Sequence, residues 1–295
     1  MVYEEAYLRY CSRIDAELMH CVPETIVNPL GDAMRYSLLS GGKRLRPVLC
    51  LAANEMAGGE IEEALGIACG IEMIHAYSLI HDDLPAMDDD ELRRGKPTCH
   101  VVFGEAMAIL AGDGLLNTAF EHMCVHAMGY PKNIKKHLQA ILCVARYAGI
   151  KGMVAGQCLD LEAEGRQVDE KELLAIHSHK TGALITAPLQ AGLILAGARE
   201  DELSAIKEYG ENLGLCFQIM DDVLDVVGDV EKLGKSTGKD DAAHKMTFPK
   251  LYGLEKSREM ALACAQKAAK ALLDAFGDRA EFLRDAALRQ VGRER

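Results

Sequence analysis

Two aspartate-rich clusters constrain this chain more than any other feature. The first runs Asp82-Asp83-Leu-Pro-Ala-Met-Asp88-Asp89-Asp90 and the second Asp221-Asp222-Val-Leu-Asp225. Each closes an apolar run, Ser78-Leu79-Ile80-His81 in one case and Cys216-Phe217-Gln218-Ile219-Met220 in the other. Carboxylates this dense repel one another and stay ionised together only when cations neutralise them. An all-oxygen set suits a hard divalent ion, and Mg²⁺ keeps its remaining positions for water and substrate phosphate. A single such cluster reads more simply as a solvated acidic helix end. Two, each joined to a buried apolar helix, point instead to two walls of one site with a diphosphate and its metal between them.

The chain reads as helix from end to end, an all-α protein. Ala, Leu, Met, Glu and Lys recur at helical spacing over 61–80, 104–128, 134–161 and 203–227. No alternating Val/Ile/Thr run ends in a hairpin turn. Breaks fall at Pro23, Pro29, Gly41-Gly42, Gly58-Gly59, Gly95-Lys96-Pro97, Gly129-Tyr130-Pro131 and Gly165, and none resembles an interdomain linker. The expectation is one all-helical domain over 1–295. The stretch 134–161 is apolar on more than one face and predicts a central buried helix. On α-helical geometry Asp221 and Asp225 share a face, with Asp222 on the flank. Asp82 and Asp88 would diverge by about 120° on an unbroken helix. Pro85 disrupts the helix between them, so Asp88 can swing back toward Asp82.

Composition excludes several classes. The net charge of −12 argues against nucleic acid as a partner. No apolar run reads as a membrane span, so no stable membrane insertion is expected. The acidic N-terminus, Met-Val-Tyr-Glu-Glu-Ala, is unlike a signal or transit peptide. Ten scattered cysteines without a Cys-x-x-Cys pair, several in apolar helical runs (Cys69, Cys143, Cys216), fit a reducing cytoplasm. His122 and His126 have a zinc-like spacing but lack a Glu in the pattern and read as ordinary helix residues, as do His177 and His179.

Cationic motifs flank the acidic ones. Gly41-Gly42-Lys43-Arg44-Leu45-Arg46-Pro47 is a glycine turn opening onto three cations. Arg93-Arg94-Gly95-Lys96 follows the first cluster, Lys180-Thr181-Gly182 lies between the clusters, and Lys235, Lys239 and Lys245 follow the second. Glycine lets backbone approach a ligand, and arginine offers paired donors to phosphate oxygens. Together they match a site for two diphosphates, one held with Mg²⁺ and one by cations alone.

The stretches Arg35 to Pro47, His75 to Pro97 (HAYSLIHDDLPAMDDDELRRGKP), Phe103 to Asp113, Gly152 to Gly165 (GMVAGQCLDLEAEG), His179 to Gly182 and Phe217 to Gly228 resemble, in order and spacing, the short-chain trans-prenyl diphosphate synthases of the bacterial farnesyl diphosphate synthase type. The resemblance covers nearly the whole chain. It implies helices around a deep cavity, a homodimer, and head-to-tail condensation of isopentenyl diphosphate with allylic diphosphates. It implies that Asp82 and Asp88 hold two Mg²⁺ ions, assisted by Asp83, and that Asp221 holds a third, supported by Asp222 and Asp225; Mn²⁺ can substitute. Arg93, Lys180 and Lys235, with Lys245 nearby, would hold the allylic diphosphate. Lys43, Arg46, His75 and Arg94 would hold isopentenyl diphosphate. Thr181 and Gln218 would face the allylic cation, and the departing diphosphate would take the final proton.

Product length turns on Tyr77. It lies five residues before Asp82, about 7.5 Å down a helix, where an aromatic ring can floor the cavity. Ser78 beside it is too small to block. In the resembled family an aromatic there, with this spacing of the first motif, accompanies the fifteen-carbon product; the alternative is a twenty-carbon geranylgeranyl diphosphate synthase. Cys99, Val101, Cys158, Cys216 and the segment Ala286 to Arg295 depart from the family pattern without removing a metal or phosphate residue. Rival readings are a terpene cyclase, which does not need the Gly-Gly-Lys-Arg-Leu-Arg turn, a phosphohydrolase, and a non-catalytic synthase subunit, which tends to lose acidic residues that are intact here.

Overall fold

Helices form over the runs of good helix formers, several of them passing through internal glycines and, in one case, Pro188. The computed structural model describes residues 3–26, 29–166, 168–227 and 246–293. Helices α1 (Tyr3–Cys21), α2 (Leu30–Leu38), α3 (Leu45–Met56) and α4 (Ile61–Asp82) lead into a small antiparallel hairpin, β1 (Leu92–Arg93) and β2 (Lys96–Pro97). After it come α5 (Cys99–Phe103), α6 (Glu105–Met128), α7 (Ile134–Ala148), α8 (Met153–Ala163) and α9 (Glu170–His177). A π-helical turn, Ser178–Gly182, connects α9 to α10 (Ala183–Ala196). Then follow α11 (Glu200–Val227), α12 (Phe248–Tyr252), α13 (Leu254–Phe276) and α14 (Glu281–Val291).

The centre is built by α4 and α10, whose residues are buried on nearly every face. That role differs from expectation. The stretch 134–161 is not one buried helix: it breaks at Gly149–Gly152 into α7 and α8. Only His137, Ala140, Val144 and Ala148 of α7 are buried, while Leu138 and Leu142 face outward. Apolar residues on several faces thus mark an uncovered surface here, not a core. The hairpin was also unanticipated. Its two-residue loop, Arg94-Gly95, has positive φ at both positions (+55° and +74°), the signature of a tight type I′ turn. A sequence scan that expects Asn or Asp before the glycine passes over it.

Two helical stretches are in fact long and apolar enough to cross a membrane by length and composition, Ile61–Asp82 and Pro131–Ala163. This corrects the reading that no run approaches that length. The first is α4, mostly buried within the protein, and the second contains the Gly149–Gly152 break. Burial makes α4 a core helix despite its hydropathy.

A buried ion pair locks the base of the bundle. Arg44, at the left-handed N-cap of α3 (φ +52°), donates to Glu72 of α4 at 2.8 Å and to Asp15 of α1 at 2.9 Å. The Arg44 and Glu72 side chains are only 5% and 4% exposed, so neither charge has water to fall back on. Removing one partner strands the other. Glu72→Ala is expected to cost about 3–5 kcal/mol, read as a lower urea midpoint, because Arg44 then keeps only the exposed Asp15 carboxylate.

Candidate active site

The two acidic clusters meet in one cavity. Helix α4 ends at Asp82, and the chain folds back on itself: Asp88 N–H donates to the Asp82 carbonyl at 2.9 Å, and Asp90 N–H to the Asp83 carbonyl at 3.1 Å. Pro85 sits in this turn, as its backbone chemistry requires. On the other side α11 runs unbroken through Asp221, Asp222 and Asp225. Asp82, Asp88 and all three aspartates of the second cluster line a cavity of 1370 Å³. Arg46, His75, Tyr77, Ser78, Arg93, Arg94, Lys180, Thr181 and Gln218 line it too. Lys43 does not: it is exposed just before α3. Asp83 lies behind the wall, buried, with Arg93 Nη2 at 2.5 Å and Nε at 2.7 Å. Lys235, Lys239 and Lys245 lie outside the described residues.

Electrostatics inside the cavity are tense. Burial pushes the Asp82 carboxyl above the usual carboxylate range and Asp88 adds to the shift, while Lys180 opposes it. Lys180 Nζ lies 2.6 Å from Asp160 and 3.8 Å from Asp82. Burial lowers the lysine, but Asp82, Asp160 and Asp88 more than offset this and hold its pKa above the ordinary value. Burial, with Arg46 and Arg94 beside it, drives His75 well below the usual imidazole range. The ring is therefore neutral, and its Nε2 accepts from Arg46 Nη1 at 3.2 Å, leaving the proton on Nδ1.

A hydrogen-bond chain orients the opposite wall. Thr181 donates to Gln218 Oε1 at 2.8 Å, Gln218 Nε2 donates to Asp222 Oδ1 at 2.9 Å, and Phe248 N–H donates to Asp222 Oδ2 at 3.0 Å. Having given its only proton away, the Thr181 hydroxyl offers the cavity lone pairs alone. The π-helical turn aims Lys180 and Thr181 inward, a geometry that functional sites favour. Gly156 of α8 makes room for it: a Cβ there would meet the Lys180 backbone nitrogen at 2.0 Å.

The donor set suits Mg²⁺. Among the described residues no three His, Cys, Asp or Glu side chains gather closely enough to hold a metal ion by themselves. Mg²⁺ does not need them to, since one or two carboxylates plus substrate phosphate complete its shell. Carboxylates on both walls, with a destabilised Asp82 among them, fit that demand.

Several site residues escaped the sequence reading. Gln157 donates to Asp82, and Asp160 pairs with Lys180. Both stand in the stretch GMVAGQCLDLEAEG, where a polar residue within an apolar run was the available signal. Arg293 donates to Asp221 Oδ1 and to the Phe217 carbonyl, each at 2.7 Å, and lies over the Phe217 ring. Nothing in the local pattern near the C-terminus announces that role. His177, expected to be an ordinary helix residue, lines the cavity with Nε2 3.9 Å from Asp222 and its ring stacked on Phe248.

Burial drives the His177 pKa down to about 4. Between that value and the ordinary imidazole range the unfolded chain binds a proton that the folded chain refuses. The contribution is therefore complete at neutral pH and is lost as pH falls. His177→Gln should abolish a loss of about 2 kcal/mol between pH 7 and pH 5, measured by urea unfolding without metal. An unchanged acid limb would mean that another group carries it.

Comparison with known proteins agrees with this geometry. Residues 27–278 match the polyprenyl synthetase family. Geranylgeranyl pyrophosphate synthase 12, chloroplastic, of Arabidopsis thaliana is 46% identical over 92% of this chain and 76% of its own length. The apo crystal structure of an FPP/GFPP synthase from Zymomonas mobilis superposes with a TM-score of 0.86 at 37% identity, covering 98% of both chains. A geranyltransferase from Helicobacter pylori, complexed with magnesium and isoprenyl diphosphate, matches with a TM-score of 0.86 at 34% identity, over 99% of this chain and 98% of its own. The isoprenoid synthase helical fold is shared with these structures. This chain belongs to the polyprenyl synthetase family and is a prenyltransferase.

Proposed function

We propose that the protein condenses isopentenyl diphosphate head-to-tail with dimethylallyl and then geranyl diphosphate, stopping mainly at farnesyl diphosphate. The observation that carries the product length is Tyr77. Its ring is buried at 7% exposure and lines the cavity one and a half turns of α4 before Asp82, where a growing chain must pass.

In this reading Asp82 and Asp88 on one wall and Asp221 and Asp225 on the other hold Mg²⁺ with the allylic diphosphate. The metal supplies charge neutralisation that makes diphosphate a leaving group. Lys180 and Arg93 hold the same diphosphate, while Arg46, His75 and Arg94 hold isopentenyl diphosphate, with Lys43 at its edge. The allylic C–O bond breaks, and the double bond of isopentenyl diphosphate supplies the electron pair of the new C–C bond. The Thr181 and Gln218 oxygens stabilise the cation. A proton leaves to a diphosphate oxygen as the new double bond forms. Asp222, with both oxygens already engaged, orients Gln218 more than it binds metal. Exposed apolar residues on α6 (Leu110, Val125, Met128) and α7 (Leu138, Leu142) suit burial against a second copy, a homodimer. Ten free thiols suit a reducing cytoplasm.

A twenty-carbon product is the second reading. The Arabidopsis relative is named for it, and Ser78 leaves space beside Tyr77. Chromatography of the dephosphorylated product from labelled isopentenyl diphosphate and dimethylallyl diphosphate distinguishes the two. Turnover should stop with EDTA and return with Mg²⁺. Asp82→Ala or Asp221→Ala should each reduce kcat at least about 100-fold with helical content intact, since each removes charge stabilisation of the leaving group; near-normal turnover in either refutes the two-wall arrangement. Tyr77→Ala should shift the product from fifteen to twenty carbons or more. Twenty carbons from the wild type would favour the second reading, and fifteen from Tyr77→Ala would put the floor elsewhere.

A further inference from the structure

The Tyr77 ring does not stand alone. His81, one helical turn further along α4, meets it edge-on, with ring centroids 5.6 Å apart and planes at 84°. The far side of His81 reaches α6, where Nε2 lies 3.1 Å from the Ile109 carbonyl oxygen. A carbonyl only accepts, so Nε2 carries the hydrogen and the imidazole hangs from the α6 backbone. That approach needs space, and Gly112 provides it. A Cβ at Gly112 would come within 2.1 Å of His81 Nε2 and 2.4 Å of its Cδ2. Gly112 lies inside α6 without a positive φ, so no turn demands glycine there. A mid-helix glycine is less stable than alanine, and close packing of His81 is the compensating gain.

We propose that His81 is a positioning residue for chain length: hung from the Ile109 carbonyl in the gap at Gly112, it braces the Tyr77 ring across the cavity floor. This rests on the product-length reading above and extends it from one ring to a three-part wedge spanning α4 and α6. Tyr77, His81 and Ile109 all line the cavity, and Ile109 is 45% exposed. A chain that passes an unbraced Tyr77 enters the α4–α6 seam toward Ile109.

The test compares elongation of geranyl and farnesyl diphosphate by wild type, His81→Ala, His81→Gln and Gly112→Ala, with kcat and KM for each primer. His81→Ala should raise the rate on farnesyl relative to geranyl diphosphate by about tenfold or more, the discrimination typical of pocket contacts of this size. His81→Gln keeps an N–H for the Ile109 carbonyl and should restore most of the wild-type ratio. Gly112→Ala should move the ratio in the same direction as His81→Ala. An equal loss on both primers, with product length unchanged, overturns the brace. If wild type already extends farnesyl diphosphate freely, the fifteen-carbon reading falls, and the brace stands only if His81→Ala still gives a longer product than wild type. Independently of turnover, the crystal structure of His81→Ala must show the Tyr77 ring in a new rotamer; an unmoved ring also overturns the proposal.

Discussion

The gathering of carboxylates from two distant segments into a single cavity is the constraint around which this protein is arranged. Asp82 and Asp88 line the same cavity as the aspartates of α11, and burial makes the ionised form of Asp82 expensive. The protein's own cations offset part of that charge. Lys180 lies against Asp160 and Asp82, Arg93 against Asp83, and Arg293 against Asp221. Each of these cations belongs to a different segment: the π-helical turn, the hairpin and the C-terminal end. The pairs that offset this charge therefore also tie those segments to the two central walls.

The cavity is divided by chemistry along α4. Its C-terminal end carries carboxylates, and the turn before carries Tyr77 and His81. In the proposed reaction diphosphate chemistry and chain measurement share one rigid helix, so the distance between them is set by helical rise and not by loop conformation. Burial of α4 against α3, α6 and α10 keeps that ruler in place. The Arg44–Glu72 pair anchors the same helix nearer its start, and small residues on α6 and α8 let neighbouring backbone and side chains come close.

The wall opposite is held by hydrogen bonds more than by charge. Thr181, Gln218, Asp222 and the Phe248 N–H form a continuous chain in which each donor finds an acceptor. Such a network fixes the direction of each dipole before substrate arrives. A hydroxyl whose proton is committed elsewhere can present only lone pairs, which suits the allylic cation of the proposed reaction.

Much of this was legible in the sequence, because it is local. Helical spacing, the proline break between Asp82 and Asp88, the shared face of Asp221 and Asp225, and the flanking cations all follow from backbone geometry over a few residues. Tyr77's place below Asp82 follows from the same rise per residue. What the sequence could not decide is which distant groups meet. Arg293 reaches Asp221, Gln157 reaches Asp82, and His81 reaches the Ile109 carbonyl across tens of residues or more of chain. The break of 134–161 into α7 and α8, with its apolar faces outward, likewise depended on which surfaces other helices came to cover. Periodicity records the face a helix can bury; only packing decides what, if anything, buries it.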